Sequence, residues 1–209
     1  MGRLFIIGAG GHGCVLAELA QRTGSWTSIT LLDDHREQPA LEIGIDVSGT
    51  TSQLESLVHS GDGFLVAVGD NRPRIELLHS LRSTCSPATL LDPAAHVSPS
   101  STIGAGSVVM PGAIVQTGAV VGEGCILNSG CVIEHGVRLS DGVHVAPGAC
   151  IGGDVQIGEC SWIGIGASVV HGCTISADVV VGAGGAVVES LLNPGTYAGV
   201  PARMLGTGQ

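Results

Sequence analysis

The chain has 209 residues, of which 44% are hydrophobic, 12% are charged and only 2% are aromatic. This length suits one large domain or two small ones, and a core with so few rings must be built from stacked small aliphatic side chains. All eight basic residues are arginine and the formal net charge is −10. These values exclude lysine-dependent chemistry and argue against a basic nucleic-acid-binding face.

The sequence carries no sign of a membrane segment or an export signal. No run approaches the ~18 apolar residues that a membrane span needs. The first residues lead directly into a glycine motif, without the regions of a signal peptide, so we expect a cytoplasmic protein with no membrane partner. Its seven cysteines form no CxxC pair, which indicates buried free thiols in a reducing compartment.

Residues 1–91 read as alternating strands and helices. The predicted strands are Leu4–Ile7, Ile29–Leu32, Phe64–Val68 and Ala88–Leu91, and the predicted helices are His12–Thr23 and Arg74–Arg82. Alternation of this kind predicts a small parallel sheet with right-handed crossovers, equivalent to half of a Rossmann fold.

A six-residue repeat begins near residue 92. Every sixth residue from Val97 to Val187, sixteen positions in all, is Val, Ile or Leu, and a second column from Ser107 to Gly185 holds small or Val residues. A six-residue period fits a solenoid of short strands. The pattern resembles the hexapeptide-repeat left-handed parallel β-helix, with three hexads per coil, over residues 92–189. Residues 190–209, rich in Pro and Gly, are expected to fold back over the last coils.

The first predicted strand leads into a glycine motif. The stretch Gly8-Ala9-Gly10-Gly11-His12-Gly13 satisfies G-x-G-x-x-G, and Asp33 follows about 20 residues later at a strand end. This is the dinucleotide fingerprint, but the ~90 residues before the solenoid suit only one mononucleotide half. We therefore favour a nucleotide diphosphate at the helix N-terminus over NAD and over a purely structural turn.

Together with Leu32-Asp33-Asp34, Val68-Gly69-Asp70-Asn71-Arg72 and the hexads, the glycine motif resembles one family. It is the bacterial sugar O-/N-acetyltransferase family related to sialic acid O-acetyltransferase, and especially its N-acetyltransferases of nucleotide-linked 4-amino-4,6-dideoxy sugars. The resemblance implies that residues 1–91 bind the nucleotide sugar and that the β-helix binds acetyl-CoA. The implied nucleotide-sugar contacts are Gly11, His12, Asp33, Asp34, Asp70 and Asn71. Strand-end solvation of the first aspartate pair, and a helix N-cap at Asp70-Asn71, are the structural alternatives.

Acyl transfer to an amine needs a general base and a donor to the oxyanion. The segment from Leu127 to His135 resembles the family stretch that carries the catalytic histidine, which implies that His135 is the base and Asn128 an active-site residue. Family members often have a second acid directly after this histidine, where this chain has Gly136. Either Glu134 or a backbone carbonyl is then left to orient the imidazole.

The same resemblance implies the acetyl-CoA site. His144 is expected near the thioester, with a structural histidine as the alternative, and His171 is expected on the surface. The other implied acetyl-CoA contacts are Gly153, Gly164, Ile165, Ala183, Gly184 and Arg203. No metal is expected, because the histidine spacing lacks the close pair used by hexapeptide-repeat zinc carbonic anhydrases.

These observations predict an acetyl-CoA-dependent N-acetyltransferase of a nucleotide-linked 4-amino-4,6-dideoxy sugar, serving bacterial glycan or glycoprotein biosynthesis. The resemblance favours a UDP-linked sugar, while the residues leave uracil and guanine open. The alternatives are a sialic-acid-type sugar O-acetyltransferase and a non-enzymatic scaffold solenoid. A homotrimer with active sites between subunits is expected, because a lone prism with aliphatic-rich faces needs a neighbour to enclose a cleft.

Overall fold

The computed structural model describes residues 2–205. The chain divides into two units, Met1–Pro93 and Ala94–Gln209. Met1 and residues 206–209, the last part of the predicted tail, lie outside the described residues.

The first unit is built on a four-stranded parallel sheet of order β2-β1-β3-β4. Its strands are β1 (Leu4–Ile7), β2 (Ile29–Leu32), β3 (Gly63–Val66) and β4 (Ser86–Pro87), and a further short strand is β5 (Leu90–Leu91). Its helices are α1 (Gly11–Thr23), α2 (Leu54–Leu57) and α3 (Asn71–Leu81), with a 3₁₀ turn at Thr51–Gln53.

The fourth strand of this sheet differs from the prediction at Ala88–Leu91. Pairing with β3 is made by Ser86–Pro87 instead, an edge position at which proline is tolerated because no ladder donor is required of it. The apolar run beyond it is partly buried, at Ala88 and Leu90. Burial of that run therefore does not come from pairing in this sheet.

Close packing of β1 against α1 explains the glycines between them. All four residues of β1 are buried, and Leu16 and Leu19 are buried on the helix. A Cβ added at Gly13 would collide with the carbonyl oxygen of Gly8. Glycine at this position lets the first turn of the helix sit directly against the strand end.

The second unit is a parallel β-solenoid of two-residue strands. They are β6 (His96–Val97), β7 (Thr102–Ile103), β8 (Val108–Val109), β9 (Ile114–Val115), β10 (Val120–Val121), β11 (Ile126–Leu127), β12 (Val132–Ile133), β13 (Arg138–Leu139), β14 (His144–Val145), β15 (Cys150–Ile151), β16 (Gln156–Ile157), β17 (Trp162–Ile163), β18 (Ser168–Val169), β19 (Thr174–Ile175), β20 (Val179–Val181) and β21 (Ala186–Val187). A longer strand, β22 (Gly195–Ala198), pairs in parallel with β20, and β23 (Arg203–Met204) pairs antiparallel with β22.

Each strand pairs with the strand eighteen residues later, as in the register of Ile126 with His144 and of His144 with Trp162. The strands therefore line three faces. The predicted aliphatic column points inward: thirteen of its members, from Val109 to Val181, are at most 3% exposed. The small residues of the second column are buried beside them at the corners. The six-residue period thus fixes both the coil and its core.

Left-handed backbone at the corners accounts for the regular glycines. Gly136 (φ +68°) and Gly148 (φ +67°) are typical members of this set, and only glycine adopts such angles without a steric penalty. Three corners carry another residue at positive φ, namely Asp154, Cys160 and Asp178.

Candidate active site

The start of α1 is open to an anion. Its N-cap is Gly10, which has no side chain to cap the helix, and the first turn holds no acidic residue. Helix geometry leaves the first amide groups without carbonyl partners. A Cβ added at Gly10 or Gly11 would meet nothing within 4 Å. Backbone donors and the positive end of the helix dipole therefore face free space.

His12 lies in the first turn of this helix. Its Nε2 atom is buried and has no hydrogen-bond partner among the described residues. Burial, and to a smaller extent the charge of Arg74, lowers the pKa of His12 to about 4. The imidazole is therefore neutral near pH 7 and has an unused ring nitrogen beside the helix start.

Arg74 holds the loop that contains the predicted Asp70-Asn71 pair. This arginine is 1% exposed; its guanidinium donates to the carbonyl oxygens of Val68 and Gly69, both at 3.1 Å, and to Asn71 Oδ1 at 2.7 Å. Asn71 is buried, and Asp70 is the N-cap residue of α3 without a side-chain capping bond. The side-chain oxygen of Asn71 is therefore one of the groups through which Arg74 holds this loop.

The two predicted aspartates after β2 bind backbone. Asp33 accepts hydrogen bonds from the N–H groups of Ala9 (2.7 Å), His35 (2.8 Å) and Arg36 (3.0 Å). Burial raises the pKa of Asp33, but these donors and the charge of Arg36 outweigh it, so the pKa is lowered. Asp34 accepts from the N–H of Thr51 at 2.8 Å. Both carboxylates therefore anchor the loop after β2 through backbone N–H groups.

A cavity of about 420 Å³ opens beside these aspartates. It is lined by Asp33, Asp34, His35, Arg36, Glu37, Val47, Gly49 and Thr50. The cavity lies beyond the carboxyl end of β2, which is where ligands bind in open parallel sheets. The sequence reading found the aspartates but not the rest of this cavity, because residues 47–50 return to it from a loop without a recognisable pattern.

On the solenoid, the exposed His135 lies against Gly153 of the next coil. A Cβ added at Gly153 would stand 2.6 Å from His135 Cε1 and 2.7 Å from its Nε2. The imidazole therefore covers Gly153, which the sequence analysis names as an acetyl-CoA contact. The N–H of Gly153 has no hydrogen-bond partner within residues 2–205. Glu134 Oε2 accepts the backbone N–H of His135 at 3.3 Å, so this carboxylate is engaged with the main chain.

A second cluster joins Asn128, His144 and Trp162. Asn128 Oδ1 accepts the N–H of Ser129 at 2.8 Å, which leaves its Nδ2 to donate to His144 Nε2 at 3.2 Å. This network assigns the His144 tautomer with the proton on Nδ1. His144 is 7% exposed and its ring centroid lies 4.4 Å from that of Trp162. The sequence analysis did not identify Trp162, although this residue lies one eighteen-residue coil after His144 and pairs with it.

The remaining predicted acetyl-CoA contacts form two groups. Gly184 donates its N–H to the carbonyl of Ile165 at 2.8 Å, and a Cβ at Gly164 would stand 2.5 Å from Val181 O. Ile165 is 62% exposed, and the N–H of Ala183 has no partner within the described part of the chain. These four predicted residues are thus neighbours on adjacent coils.

Arg203, on β23, has a different set of partners. Its Nη1 pairs with Glu189 Oε1 at 2.9 Å and also donates to the carbonyl of Ala202 at 3.0 Å. Both members of the ion pair are more than half exposed, so water screens their attraction and the pair can be exchanged for a ligand anion.

The described residues contain neither a cluster of metal ligands nor a membrane-spanning helix. No three His, Cys, Asp or Glu side chains of residues 2–205 gather as a metal site. No helix in that range is both long and apolar enough to cross a membrane. His171 is exposed, as expected from sequence.

Known domain families match both units. Residues 3–81 match the PglD N-terminal domain, and residues 100–135 match the bacterial transferase hexapeptide of six repeats. Among curated proteins, none matches the chain.

Solved structures match the chain over nearly its whole length. The acetyltransferase domain of PglB from Neisseria gonorrhoeae FA1090, determined in complex with acetyl coenzyme A, is 41% identical with a TM-score of 0.93, covering 97% of this chain and 98% of that one. PerB from Caulobacter crescentus, a perosamine N-acetyltransferase determined with CoA and GDP-perosamine, is 37% identical with a TM-score of 0.92, covering 99% and 98%. WeeI from Acinetobacter baumannii AYE, at 23% identity and a TM-score of 0.90 over 98% and 100%, shares the fold.

The two units together define a hexapeptide-repeat transferase with a PglD-type N-terminal domain. The chain belongs to the left-handed β-helix sugar N-acetyltransferases, the family of the PglB acetyltransferase domain and of PerB. The predicted family and fold class are therefore confirmed.

Proposed function

We propose that this acetyl-CoA-dependent N-acetyltransferase acetylates the amino group of a nucleotide-linked 4-amino-4,6-dideoxy sugar, with His135 as general base. The observation that carries the proposal is the exposed imidazole of His135 beside the unpaired N–H of Gly153. A base and an oxyanion donor are what acyl transfer from a thioester requires. Similarity to PerB, which was solved with CoA and GDP-perosamine, supports the acceptor class.

In this mechanism the sugar amine attacks the acetyl carbonyl, and its nitrogen loses a proton to His135. The Gly153 N–H donates to the carbonyl oxygen as negative charge develops there, and CoA leaves as the thiol after its sulfur takes the proton from the His135 imidazolium. His144, fixed by Asn128 and stacked against Trp162, orients the thioester. The exposed backbone around Ile165 and Ala183 receives the pantetheine arm, and Arg203 receives a CoA phosphate.

We propose that the first unit binds the nucleotide sugar. The open start of α1 takes the diphosphate, the neutral His12 donates a hydrogen bond to it, and the base enters the cavity beside Asp33 and Asp34. Loop residues Asp70 and Asn71 complete this site. The base is uracil or guanine, with UDP expected from the family resemblance and GDP supported by the PerB complex.

The catalytic and sugar sites are completed between subunits of a homotrimer in this proposal. Light scattering that gave a monomer at assay concentration would contradict it. We further propose that the enzyme acts in the cytoplasm, in bacterial glycan or glycoprotein biosynthesis.

The function is tested by following CoA thiol release with UDP- and GDP-linked 4-amino sugars as acceptors. His135→Ala should lower kcat by ~10²–10⁴ while acetyl-CoA still binds, and the matched surface variant His171→Ala should retain normal turnover. Near-normal turnover by His135→Ala would refute the base assignment. Acetylation of a sugar hydroxyl but not of any amine would favour the O-acetyltransferase alternative, and no turnover with any acceptor would favour a scaffold.

A further inference from the structure

Asp154 occupies a corner of the solenoid where the backbone favours glycine. Its φ is +58°, and the corners one coil before it and one coil after it are Gly136 and Gly172, with φ of +68° and +71°. A residue with a side chain is disfavoured in this conformation, although Asp tolerates it better than most. Glycine would be the more stable choice here, so the side chain of Asp154 invites a functional explanation.

The Asp154 carboxylate fills the space of the side chain that Gly136 lacks. Asp154 lies eighteen residues after Gly136, and its N–H donates to the carbonyl of His135 at 2.9 Å. A Cβ added at Gly136 would collide with Asp154 Oδ1. The residue before Asp154 is Gly153, on which the His135 ring rests. Residues 153 and 154 therefore face His135 and Gly136 respectively, across one coil step.

The acid directly before His135, Glu134, is engaged with the main chain. Glu134 Oε2 bonds the backbone N–H of His135 at 3.3 Å. Asp154, by contrast, is exposed and makes no side-chain hydrogen bond within the described chain. Of these two acids, Asp154 is the one with an unengaged carboxylate, and that carboxylate lies beside Gly136, the residue directly after the histidine.

We infer that Asp154 is a positioning residue that supplies, from the next coil, the carboxylate that relatives place directly after the catalytic histidine. In the substrate complex its carboxylate accepts the Nδ1–H of His135, which leaves Nε2 to take the proton from the sugar amine. The carboxylate stabilises the imidazolium that forms. Such contacts are often long without substrate and shorten in the Michaelis complex. This inference rests on the proposed role of His135.

The geometry also explains why residue 136 is glycine. An acid at 136 would meet the Asp154 carboxylate in the same space, and two carboxylates that close repel one another. The space between residues 136 and 154 therefore holds one carboxylate. An acid at residue 136 in place of the one at 154 should preserve function.

The test compares three variants in the full-length enzyme. Asp154→Asn should lower kcat ~10–100-fold, the range for a residue that orients a catalytic ligand, with KM for acetyl-CoA unchanged. Asp154→Gly should lower kcat equally without lowering Tm, because glycine suits φ +58°. Gly136→Asp combined with Asp154→Gly should regain at least threefold in kcat over Asp154→Gly alone, because glycine at 154 vacates the space that the new side chain needs. Asp178→Asn, at a corner with φ +56°, is the matched control and should behave as wild type.

Normal kcat in both Asp154→Asn and Asp154→Gly would overturn the inference, as would a folded double variant no faster than Asp154→Gly. If His135→Ala is inactive while the Asp154 variants are normal, only this inference fails. If His135→Ala keeps normal turnover, both the proposed role of His135 and this inference are wrong. In the His135→Ala background, Asp154→Asn should cause no further loss, because the carboxylate then has no ring to orient.

Discussion

Gly153→Ala is expected to displace the His135 imidazole, the proposed general base, while leaving the fold intact. The new methyl carbon would stand 2.6 Å from His135 Cε1, 2.7 Å from Nε2 and 3.2 Å from Nδ1. Ordinary carbon contacts are ~3.5 Å or longer, so the ring must move by ~1 Å. His135 is exposed and can rotate away, and Gly153 is not among the positive-φ residues. The stability cost should therefore be small.

A displacement of ~1 Å at a reacting group can cost ~10² in rate. We therefore expect Gly153→Ala to lower kcat ~10²-fold with Tm changed by less than ~3 °C, as measured by CoA thiol release and thermal unfolding. If Gly153 only contacts acetyl-CoA, KM would rise and kcat would not fall. In the His135→Ala background the same methyl should have no further effect on kcat, because the ring that it displaces is gone. A kcat within threefold of wild type in Gly153→Ala would refute the reasoning.

Three further predictions concern the other parts of the site. Gly11→Val should weaken nucleotide-sugar binding at least ~10-fold by calorimetry with Tm unchanged, because a Cβ at Gly11 meets nothing within 4 Å; unchanged affinity would make the glycine turn purely structural. Arg203→Ala should raise KM for acetyl-CoA several-fold to ~10-fold, about 1 kcal/mol, less so at high salt. The control Glu189→Gln should not raise that KM, and an equal rise in KM for the sugar would show that Arg203 supports the tail instead. His12 makes the fold sensitive to acid, because its pKa is about 4 when folded against 6.5 when unfolded. Below pH 6.5 the unfolded chain binds the proton more readily, so stability falls as pH falls, by about 2 kcal/mol at pH 5 and about 3 kcal/mol below pH 4. Urea unfolding at pH 7 and pH 5 should show this loss reduced by about 2 kcal/mol in His12→Gln, and an equal loss in both proteins would contradict the assignment.

The repeat shows how far a period can determine a fold. A column of aliphatic residues every six positions must point to one side if the chain turns a corner every six residues, and three corners close a coil. Register then follows without reference to any contact, since His144 pairs with Trp162 by the eighteen-residue spacing alone. The same spacing would have located Trp162 and Asp154 beside the histidines, had it been applied to every polar residue of the site.

In the first unit, the sequence determined less. The glycine motif predicted the strand–helix turn because both ends of that turn are local. The fourth strand was misplaced, since two residues are enough to pair at an edge and an apolar run nearby carries the stronger pattern. The roles of Asp33 and Asp34 also depended on distant atoms, namely the N–H groups of Ala9 and Thr51.

By itself, then, the sequence determined the family and the solenoid, and it singled out the histidines of the proposed site, because each depends on residue type at fixed spacing. Only the tertiary structure decided which groups touch: the imidazole of His135 over Gly153, Asn128 against His144, and the carboxylate of Asp154 in the space beside Gly136. Side-chain direction at a corner depends on rotamers and on neighbours one coil away. Spacing along the chain places those residues side by side but does not say which way each one turns.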